Sequence, residues 1–267
     1  MGHEDERTKV QSEARDIAGA FVAARRGRTA ISEYPGHPPA DLAGAYAIQD
    51  CALALWERPV GGWKVGRINP PRDALLGADR LVGPAFSDTI LMAGDDAPAM
   101  PVFHGGFAAV EAEFMLRLAP QDGPLPASPA EAMAWIDTVR IGIEIASSPY
   151  ARINADGPLV TISDHGNNAG LLLGAEVPRA AWDALDAVEV TLAIDGREVG
   201  RATTATMLDG PFGAAAFLIR NLAARGIALE PGWWISSGAI TGVHEITPGS
   251  TAKACFAGLG EVAAAVA

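Results

Sequence analysis

Two glutamates stand two residues apart in an otherwise apolar run, residues 110–118, and they are the first candidates for chemistry. Successive side chains of a β-strand point to opposite faces. Glu111 and Glu113 would therefore share one face of a strand. Two carboxylates held side by side repel each other, and each is costly to remove from water. The pair needs either a compensating cation or a well-hydrated surface.

A third carboxylate, Glu144, lies among aliphatic residues in the run 141–146. If this run is a strand beside the first one, three carboxylates can face one point. Such an oxygen-only cluster suits Mg²⁺ or Mn²⁺. The alternative is that Glu111 and Glu113 lie on a solvated strand face with Arg117 as a neighbour, and alternation alone favours this more common arrangement.

Lysine occurs three times in the chain, and one copy, Lys64, lies between Trp63 and Val65 with glycines on either side. The glycines would let a substrate approach the backbone. Lys64 could then neutralise a bound carboxylate or act as an acid or base. A surface lysine whose stem lies on Trp63 is an equally good interpretation.

Asp164 and His165 stand in a segment rich in glycine and asparagine, residues 163–170, a composition typical of loops that carry functional groups. Asp164 could orient a water or accept a proton, or it could simply form a turn. The Gly-x-Ser-x-Gly elbow of serine hydrolases is not present in the sequence, which disfavours that class. Dinucleotide and phosphate-loop motifs are also missing.

The composition predicts a globular protein of 267 residues, 49% hydrophobic, with one domain and an N-terminal helical extension. A net charge of −12 argues against nucleic acids and anionic membranes as partners. Cys51 and Cys255 form neither a metal motif nor a disulfide framework. The charged start is no secretory signal, and no apolar run spans a bilayer, so we expect a soluble cytoplasmic protein.

Periodicity divides the chain into helices first and mostly strands afterwards. Residues 4–28 predict an amphipathic helix, and Asp41 can cap a second helix that ends near Trp56. We therefore expect an N-terminal helical region, residues 1–60, packed on a β-rich catalytic core, residues 61–267. This order of elements indicates an α+β fold with a mixed or antiparallel sheet.

Within the expected core, the stretch to Met100 is broken by prolines and glycines, and strand patterns dominate afterwards. The turn dipeptide at Asp195 and Gly196 predicts a β-hairpin. The other predicted elements are a short strand at 62–67, strands at 110–118, 139–146, 233–238, 251–256 and 262–266, and helices at 130–135 and 211–224.

The chain resembles the 2-keto-4-pentenoate hydratase family in five segments, which follow one another in the order and with the spacing found in that family. That family also holds 2-oxohept-3-ene-1,7-dioate hydratases and 4-oxalocrotonate decarboxylases, and it is related to fumarylacetoacetate hydrolase. The segments are 62–66, 111–113, 142–145, 164–170 and 237–241. The resemblance implies the mixed, mainly antiparallel sheet core of the fumarylacetoacetate hydrolase C-terminal type.

The resemblance also implies a site. Its metal, Mg²⁺ or Mn²⁺, would be held by Glu111, Glu113 and Glu144, and its catalytic residues would be Lys64 and Asp164. The positions implied for substrate binding are Lys64, His165, Ser237 and Gly238. The chain departs from the family pattern at residues 165–170 and at residues 104–106. These departures bear on the substrate and the reaction rather than on the metal.

The implied activity is a hydratase that adds water to a 2-hydroxy-2,4-dienoate to give a 4-hydroxy-2-oxo acid, through a metal-chelated enolate. Three alternatives remain: decarboxylation of a 4-oxalocrotonate-type diacid, hydrolysis of an acylpyruvate C–C bond with His104 or His165 as base, and an inactive partner subunit. The resemblance further implies a homo-oligomer that can associate with a related decarboxylase or aldolase.

Overall fold

Two helices open the chain in the structure, a computed structural model that describes residues 2–94 and 97–267. Helix α1 spans Gly2–Gly27 and helix α2 spans Leu42–Trp56, as their periodicity predicts. The Asp41 side chain accepts a hydrogen bond from the Gly44 amide, 2.8 Å, which satisfies one free donor at the start of α2. Both helices share a buried apolar cluster with the strands behind them. A division of the chain near residue 60 stays a prediction.

A twisted eight-stranded sheet forms the larger layer of the core, and its strands are numbered in chain order together with those of a second sheet. Its members are β1 (Val60–Arg67), β2 (Arg80–Phe86), β3 (Ile90–Met92), β5 (Phe107–Leu118), β6 (Ile136–Ser148), β7 (Asn168–Glu176), β10 (Trp234–Ser236) and β11 (His244–Glu245). The order is β2-β1-β10-β5-β6-β7-β3, with β11 beside β5. The β1/β10 and β3/β7 pairs are parallel.

A second, five-stranded sheet has the order β4-β13-β12-β8-β9. Its strands are β4 (Ala99–Met100), β8 (Glu189–Ile194), β9 (Arg197–Thr203), β12 (Thr251–Phe256) and β13 (Gly260–Val266). Asp195 and Gly196 join β8 to β9 with φ angles of 49° and 78°. Two positive φ angles are what a tight hairpin turn requires. The predicted hairpin is confirmed, and so is the α+β fold with a mixed, mainly antiparallel sheet core.

Among the described residues, the fold is completed by four short 3₁₀ helices and by four further α-helices. The α-helices are α3 (Arg72–Leu76), α4 (Pro129–Met133), α5 (Pro158–Ser163) and α6 (Gly210–Ala224). Helix α6 buries most of its apolar residues against the core. Among the described residues, the structure shows no helix with the length and apolar character needed to cross a membrane.

Strand β2 is missing from the sequence-based expectations, which gave this region only as a broken stretch. All seven of its residues are buried. A strand buried on both faces lacks the alternation that marks a half-exposed one. Pro84 is tolerated because β2 stands at the end of the sheet, where one side of the strand makes no ladder hydrogen bonds.

Strands β5 and β6 lie in the middle of the larger sheet, and both of their faces are covered. Phe114 on one face of β5 packs against Phe256 of the second sheet, with ring centroids 5.2 Å apart. On the other face Glu111 and Glu113 are also buried. The interpretation of a solvated glutamate face is therefore wrong, because other elements cover the face that alternation would leave in water.

Candidate metal centre

The three glutamates meet where β5 and β6 run side by side. The antiparallel register places Glu111 directly opposite Glu144, and Glu113 follows two residues later on the same face. Carboxylate oxygens of all three lie within 4.8 Å of one another. Glu113 and Glu144 are fully buried, and Glu111 is 5% exposed. The structure thus brings together the triad that the sequence predicted.

Hydrogen bonds fix two of the carboxylates but leave oxygens free. Glu113 Oε2 accepts from the Ser236 hydroxyl and from the Gly238 amide, the latter at 2.8 Å. Glu144 Oε1 accepts from the Asn168 side-chain amide at 2.8 Å. Within the described part of the chain, Glu113 Oε1 and Glu144 Oε2 have no hydrogen-bond partner. Buried lone pairs without partners are costly, so these two oxygens mark a place for a cation.

Lys64 supplies the positive charge beside the triad. Its Nζ lies 3.6 Å from Glu144 Oε2 and donates a hydrogen bond to Asn167 Oδ1 at 3.4 Å. The side chain is buried. Burial alone would lower the pKa of Lys64, but the attraction of Glu144, Glu111 and Glu113 together raises it. Lys64 is therefore held as an ammonium ion.

A single ammonium does not balance three buried carboxylates. Burial raises the pKa of Glu111 to about 7, with Lys64 opposing the shift and Glu144 adding to it. Burial, and then repulsion from Glu144 and Glu111, raises the pKa of Glu113 well above its ordinary value. A divalent cation would remove this imbalance. The all-oxygen donor set suits a hard ion such as Mg²⁺, Mn²⁺ or Ca²⁺, so the residues fit the metal that the sequence predicted.

A cavity of about 740 Å³ opens beside the triad. Glu111, Lys64 and Asn167 line it, and so do Ser237 and Gly238, both predicted to bind substrate. The Ser237 hydroxyl is buried and has no hydrogen-bond partner among the described residues. It is therefore free to bond to a substrate or to a water in the cavity.

Asp164 and His165 lie behind the cavity wall and do not line it. Asp164 is fully buried and forms a bidentate ion pair with Arg25 of α1, with distances of 2.5 and 2.9 Å. The His165 ring packs against Phe86 and Trp56, with centroids 5.1 and 6.1 Å apart. Burial, helped by Arg25, lowers its pKa well below the ordinary value. Direct roles for Asp164 and His165 stay predictions.

The turn after Asp164 carries two site residues that sequence reasoning passed over, Asn167 and Asn168. His165, Gly166 and Asn167 have φ angles of 54°, 63° and 57°, three left-handed residues in succession. Residues other than glycine adopt this conformation at a cost, and such strain persists where surrounding contacts impose it. The turn directs Asn167 to Lys64 and Asn168 to Glu144.

Arg25 holds this turn in place. Besides its ion pair with Asp164, it donates hydrogen bonds to the main-chain carbonyls of Asn168 and Ser147, both at 3.1 Å. Arg25 is separated from Asp164 by 139 positions in the chain. Its only mark in the sequence is a basic residue in the last turn of a helix. Sequence reasoning had no signal with which to find it.

The chain is similar to known enzymes in sequence. The family model described as fumarylacetoacetate (FAA) hydrolase C-terminal matches residues 88–267. A 2-keto-4-pentenoate hydratase from Burkholderia vietnamiensis (strain G4 / LMG 22486) is 29% identical over 246 residues, which is 89% of this chain and 91% of the relative.

Similar proteins also include decarboxylases. A 4-oxalocrotonate decarboxylase from a Pseudomonas species is 32% identical over 136 residues, 51% of this chain, and the match spans about half, 52%, of that relative. Among solved structures, a 4-oxalocrotonate decarboxylase from Pseudomonas putida G7, complexed with magnesium and adipate, superimposes with a TM-score of 0.78 at 21% identity and covers 98% of each chain. At that identity the match shows a shared fold.

Proposed function

We propose that this chain, which belongs to the fumarylacetoacetate hydrolase C-terminal family, is a divalent-metal-dependent hydratase. Its substrate would be a 2-hydroxy-2,4-dienoate, or the 2-oxo-4-enoate tautomer, and its product a 4-hydroxy-2-oxo acid. The observation that carries the proposal is the buried triad, whose negative charge exceeds the positive charge beside it. The triad borders a cavity large enough for a small acid. The hydratase relative aligned over most of the chain supports this reaction.

Glu111, Glu113 and Glu144 would hold Mg²⁺ or Mn²⁺ in this proposal. When bound, the ion would act as a Lewis acid that stabilises negative charge on the oxygen at C2 of the substrate. The protein contributes the arrangement of the ligands. Ser236 and Gly238 orient Glu113, and Asn168 orients Glu144. Such supporting hydrogen bonds fix ligand direction before the ion arrives.

Lys64 would bind the substrate carboxylate and deliver a proton. The overall reaction takes up one water: the 2-hydroxyl proton is lost, a proton is added at C5, hydroxide is added at C4 and a proton at C3. Lys64 is cationic and lies on the cavity wall beside the triad, so it suits an anionic substrate. Asn167 and Ser237 would provide hydrogen bonds to the reacting groups or to the attacking water.

Asp164 would contribute by positioning. Its carboxylate holds Arg25, and Arg25 in turn holds the strained turn that presents Asn167 and Asn168. Removing a buried charge from such a pair leaves its partner uncompensated. We therefore assign Asp164 to the shape of the turn, and His165 to the packing beneath it.

A decarboxylase of 4-oxalocrotonate-type acids is the second candidate, because relatives of that name match half or more of this chain. Both reactions build negative charge on the oxygen at C2, so the triad serves either. The acylpyruvate C–C hydrolase has less support, since neither His104 nor His165 lines the cavity. The complete triad is the argument against an inactive partner subunit.

The test is an assay of the purified chain with Mn²⁺ and 2-hydroxypenta-2,4-dienoate, followed by loss of ultraviolet absorbance and by product analysis. We expect Mn²⁺-dependent formation of 4-hydroxy-2-oxopentanoate that a chelator abolishes. Release of CO₂ from 4-oxalocrotonate without hydration would assign the decarboxylase instead. Turnover that persists without any divalent ion would contradict the proposal. Light scattering on the same sample tests a homo-oligomer, which we retain as part of the proposal together with a cytoplasmic location.

A further inference from the structure

The side-chain amide of Asn167 has a hydrogen-bond partner at each of its two ends. Its oxygen, Oδ1, accepts a hydrogen bond from Lys64 Nζ at 3.4 Å, and its nitrogen, Nδ2, donates one to Asn154 Oδ1 at 2.9 Å. Asn167 is buried, Asn154 is partly exposed, and both residues line the cavity beside the triad. A chain of hydrogen bonds therefore runs along the cavity wall from Asn154 through Asn167 to the ammonium of Lys64.

The two hydrogen bonds of the Asn167 amide differ in length. The bond to Asn154 has the ordinary length of an N–H···O hydrogen bond, whereas the bond from Lys64 is longer than usual. The terminal torsion of an asparagine is broad, so rotation of the amide costs little by itself. The bond to Asn154 keeps the amide nitrogen on the side away from Lys64. It thereby presents the acceptor oxygen, rather than a second donor, to the ammonium.

Asn154 lies in a turn, residues 151–156, that other contacts hold in place. The preceding residue, Ile153, is fully buried in the apolar cluster that α1 and α2 share. The main-chain carbonyl of Asn154 accepts a hydrogen bond from the Gly157 amide at 3.2 Å. The hydroxyl of Thr161 on α5 lies 3.0 Å from the Ile153 carbonyl and 3.1 Å from the Gly157 carbonyl. The turn therefore offers the Asn154 oxygen as an acceptor in a fixed position.

Lys64 gains from this support because its carboxylate partner does not hold it closely. Its Nζ lies 3.6 Å from Glu144 Oε2, which is an ion pair rather than a short hydrogen bond. A lysine ammonium is carried on a flexible stem and has three rotatable donors. A side chain without a fixed direction loses conformational freedom when a ligand binds, and this loss opposes binding. The Asn167 oxygen reduces that loss because it holds Nζ in place beforehand.

We propose that Asn154 is a positioning residue that acts through Asn167 on Lys64. This inference rests on the proposed function, in which Lys64 binds the substrate carboxylate. Asn154 sets the direction of the Asn167 amide, and that amide holds Lys64 Nζ ready for the anion. The metal ligands are supported separately, since the residue that donates to Glu144 is Asn168. Loss of the Asn154 oxygen therefore weakens the binding of the acid and leaves the binding of the metal unchanged.

A double-mutant cycle measured by calorimetry tests the proposal without requiring turnover. The four proteins are the wild type, Asn154→Leu, Asn167→Ala and the double variant, and the probe is 2-oxopentanoate in saturating Mn²⁺. Leucine has nearly the size of asparagine but accepts no hydrogen bond. We expect Asn154→Leu to bind the acid about fivefold less tightly, which corresponds to one typical hydrogen bond. In the Asn167→Ala background the same substitution should change the affinity less than about twofold, because the residue through which Asn154 acts is gone.

Two further measurements separate positioning from a general effect on the fold. The affinity of Asn154→Leu for Mn²⁺ should stay within about twofold of the wild-type value, since Asn168 still supports Glu144. The matched control is Asn69→Leu, which makes the same substitution on the wall of the same cavity but outside the hydrogen-bond chain. The control should bind the acid with wild-type affinity. Melting curves of each variant verify that the fold is retained.

Wild-type affinity of Asn154→Leu for the acid would overturn the positioning role and leave the proposed function standing. A fivefold loss that persists in the Asn167→Ala background would overturn it as well, because Asn154 would then act independently of Asn167. A parallel loss of Mn²⁺ affinity, or an equal loss of acid affinity in Asn69→Leu, would show a general effect on the site and would also overturn the role. Absence of Mn²⁺-dependent binding of the acid to the wild-type protein would overturn the proposed function and, with it, this inference.

Discussion

The carboxylate triad and the turn at residues 164–168 meet at Glu144, where Asn168 donates its hydrogen bond. Their backbones are fixed by different forces. The triad is set by the regular antiparallel register of β5 and β6, which pairs the strands from Phe107 to Leu118. The turn contains three left-handed residues and depends on Arg25, which belongs to helix α1 and lies 139 positions earlier in the chain than Asp164.

The triad and the turn are sensitive to different kinds of substitution. A substitution in the triad changes charge while many ladder hydrogen bonds keep the backbone in place. A substitution at the turn changes the backbone itself, because the ion pair and the main-chain hydrogen bonds of a single residue, Arg25, oppose the local strain. We therefore expect triad variants to lose metal and keep their fold, and turn variants to keep metal and lose turnover.

The largest effect should come from Glu113→Gln. The variant loses a charged ligand, so we expect Mn²⁺ affinity to fall about 100-fold or more and turnover about 1,000-fold, by analogy with the removal of groups that stabilise developing charge. The metal-free variant should be more stable than the metal-free wild type, because it removes one of three mutually repelling carboxylates. Calorimetric titration measures the Mn²⁺ affinity. Thermal unfolding with a chelator measures the stability of the metal-free protein. Wild-type Mn²⁺ affinity in this variant would remove Glu113 from the metal site.

The second-largest effect on turnover is expected for the variant Lys64→Met. Loss of the ammonium should reduce turnover about 100-fold, within the range for a positioned acid or base. Mn²⁺ affinity should stay the same or increase, because a competing positive charge near the triad is gone. The matched control is Lys253→Met, an exposed lysine paired with Glu261 on the second sheet. A Lys64→Met enzyme with the wild-type rate would remove Lys64 from the mechanism.

The role of the turn is tested by comparing two variants, Arg25→Lys and Arg25→Met. Methionine leaves Asp164 buried without a partner, at a cost of about 3–5 kcal/mol, whereas lysine keeps the charge but not the fork of hydrogen bonds. We expect Arg25→Lys to lower kcat about tenfold, the low end for lost supporting contacts, with Mn²⁺ affinity changed much less. Arg26→Met, which alters the adjacent and more exposed arginine, serves as the control.

An equal loss of metal affinity and turnover in Arg25→Lys would contradict the separation of the two regions. It would mean that the turn and the triad act as a single unit. A crystal structure of the variant would then show whether Asn168 has moved away from Glu144.

The smallest effect is a pH dependence of stability in the metal-free protein. The pKa of Glu111 is raised from 4.5 to about 7 in the folded state. The stabilisation from its bound proton is fully present below about pH 4.5 and is lost as the pH rises through about 7. Thermal unfolding with a chelator should thus show falling stability across this window. Excess Mn²⁺ should reverse the trend. A metal-free stability that does not change with pH would show that burial does not disfavour the ionised form of Glu111.

Sequence reasoning reached the triad because its signals are local. Alternation places Glu111 and Glu113 on one face, and an isolated glutamate among aliphatic residues marks Glu144. Alternation could not show that this face is covered, since a charged face in water and a charged face around a metal have the same period. The resemblance to a known family favoured the face around a metal, and the structure confirmed that the glutamates are buried.

The remaining features depend on contacts between distant parts of the chain. Nothing near Arg25 indicates that it pairs with Asp164, and nothing near Asn168 indicates that it bonds to Glu144. Local composition described residues 163–170 as a polar loop, whereas the structure shows a buried turn that leads directly into β7. Long-range ion pairs leave no periodic pattern, and so the sequence predicted the residue types but not their partners.

Whether Glu111, Glu113 and Glu144 bind one divalent ion can be decided by the anomalous scattering of a crystal soaked in Mn²⁺ and a 2-oxo acid. We expect a single strong peak at about 2.0–2.3 Å from oxygens of all three glutamates, with the acid as a further ligand. A peak held by other residues, or a triad that stays free of metal while the acid fills the cavity, would contradict a shared metal site at the triad.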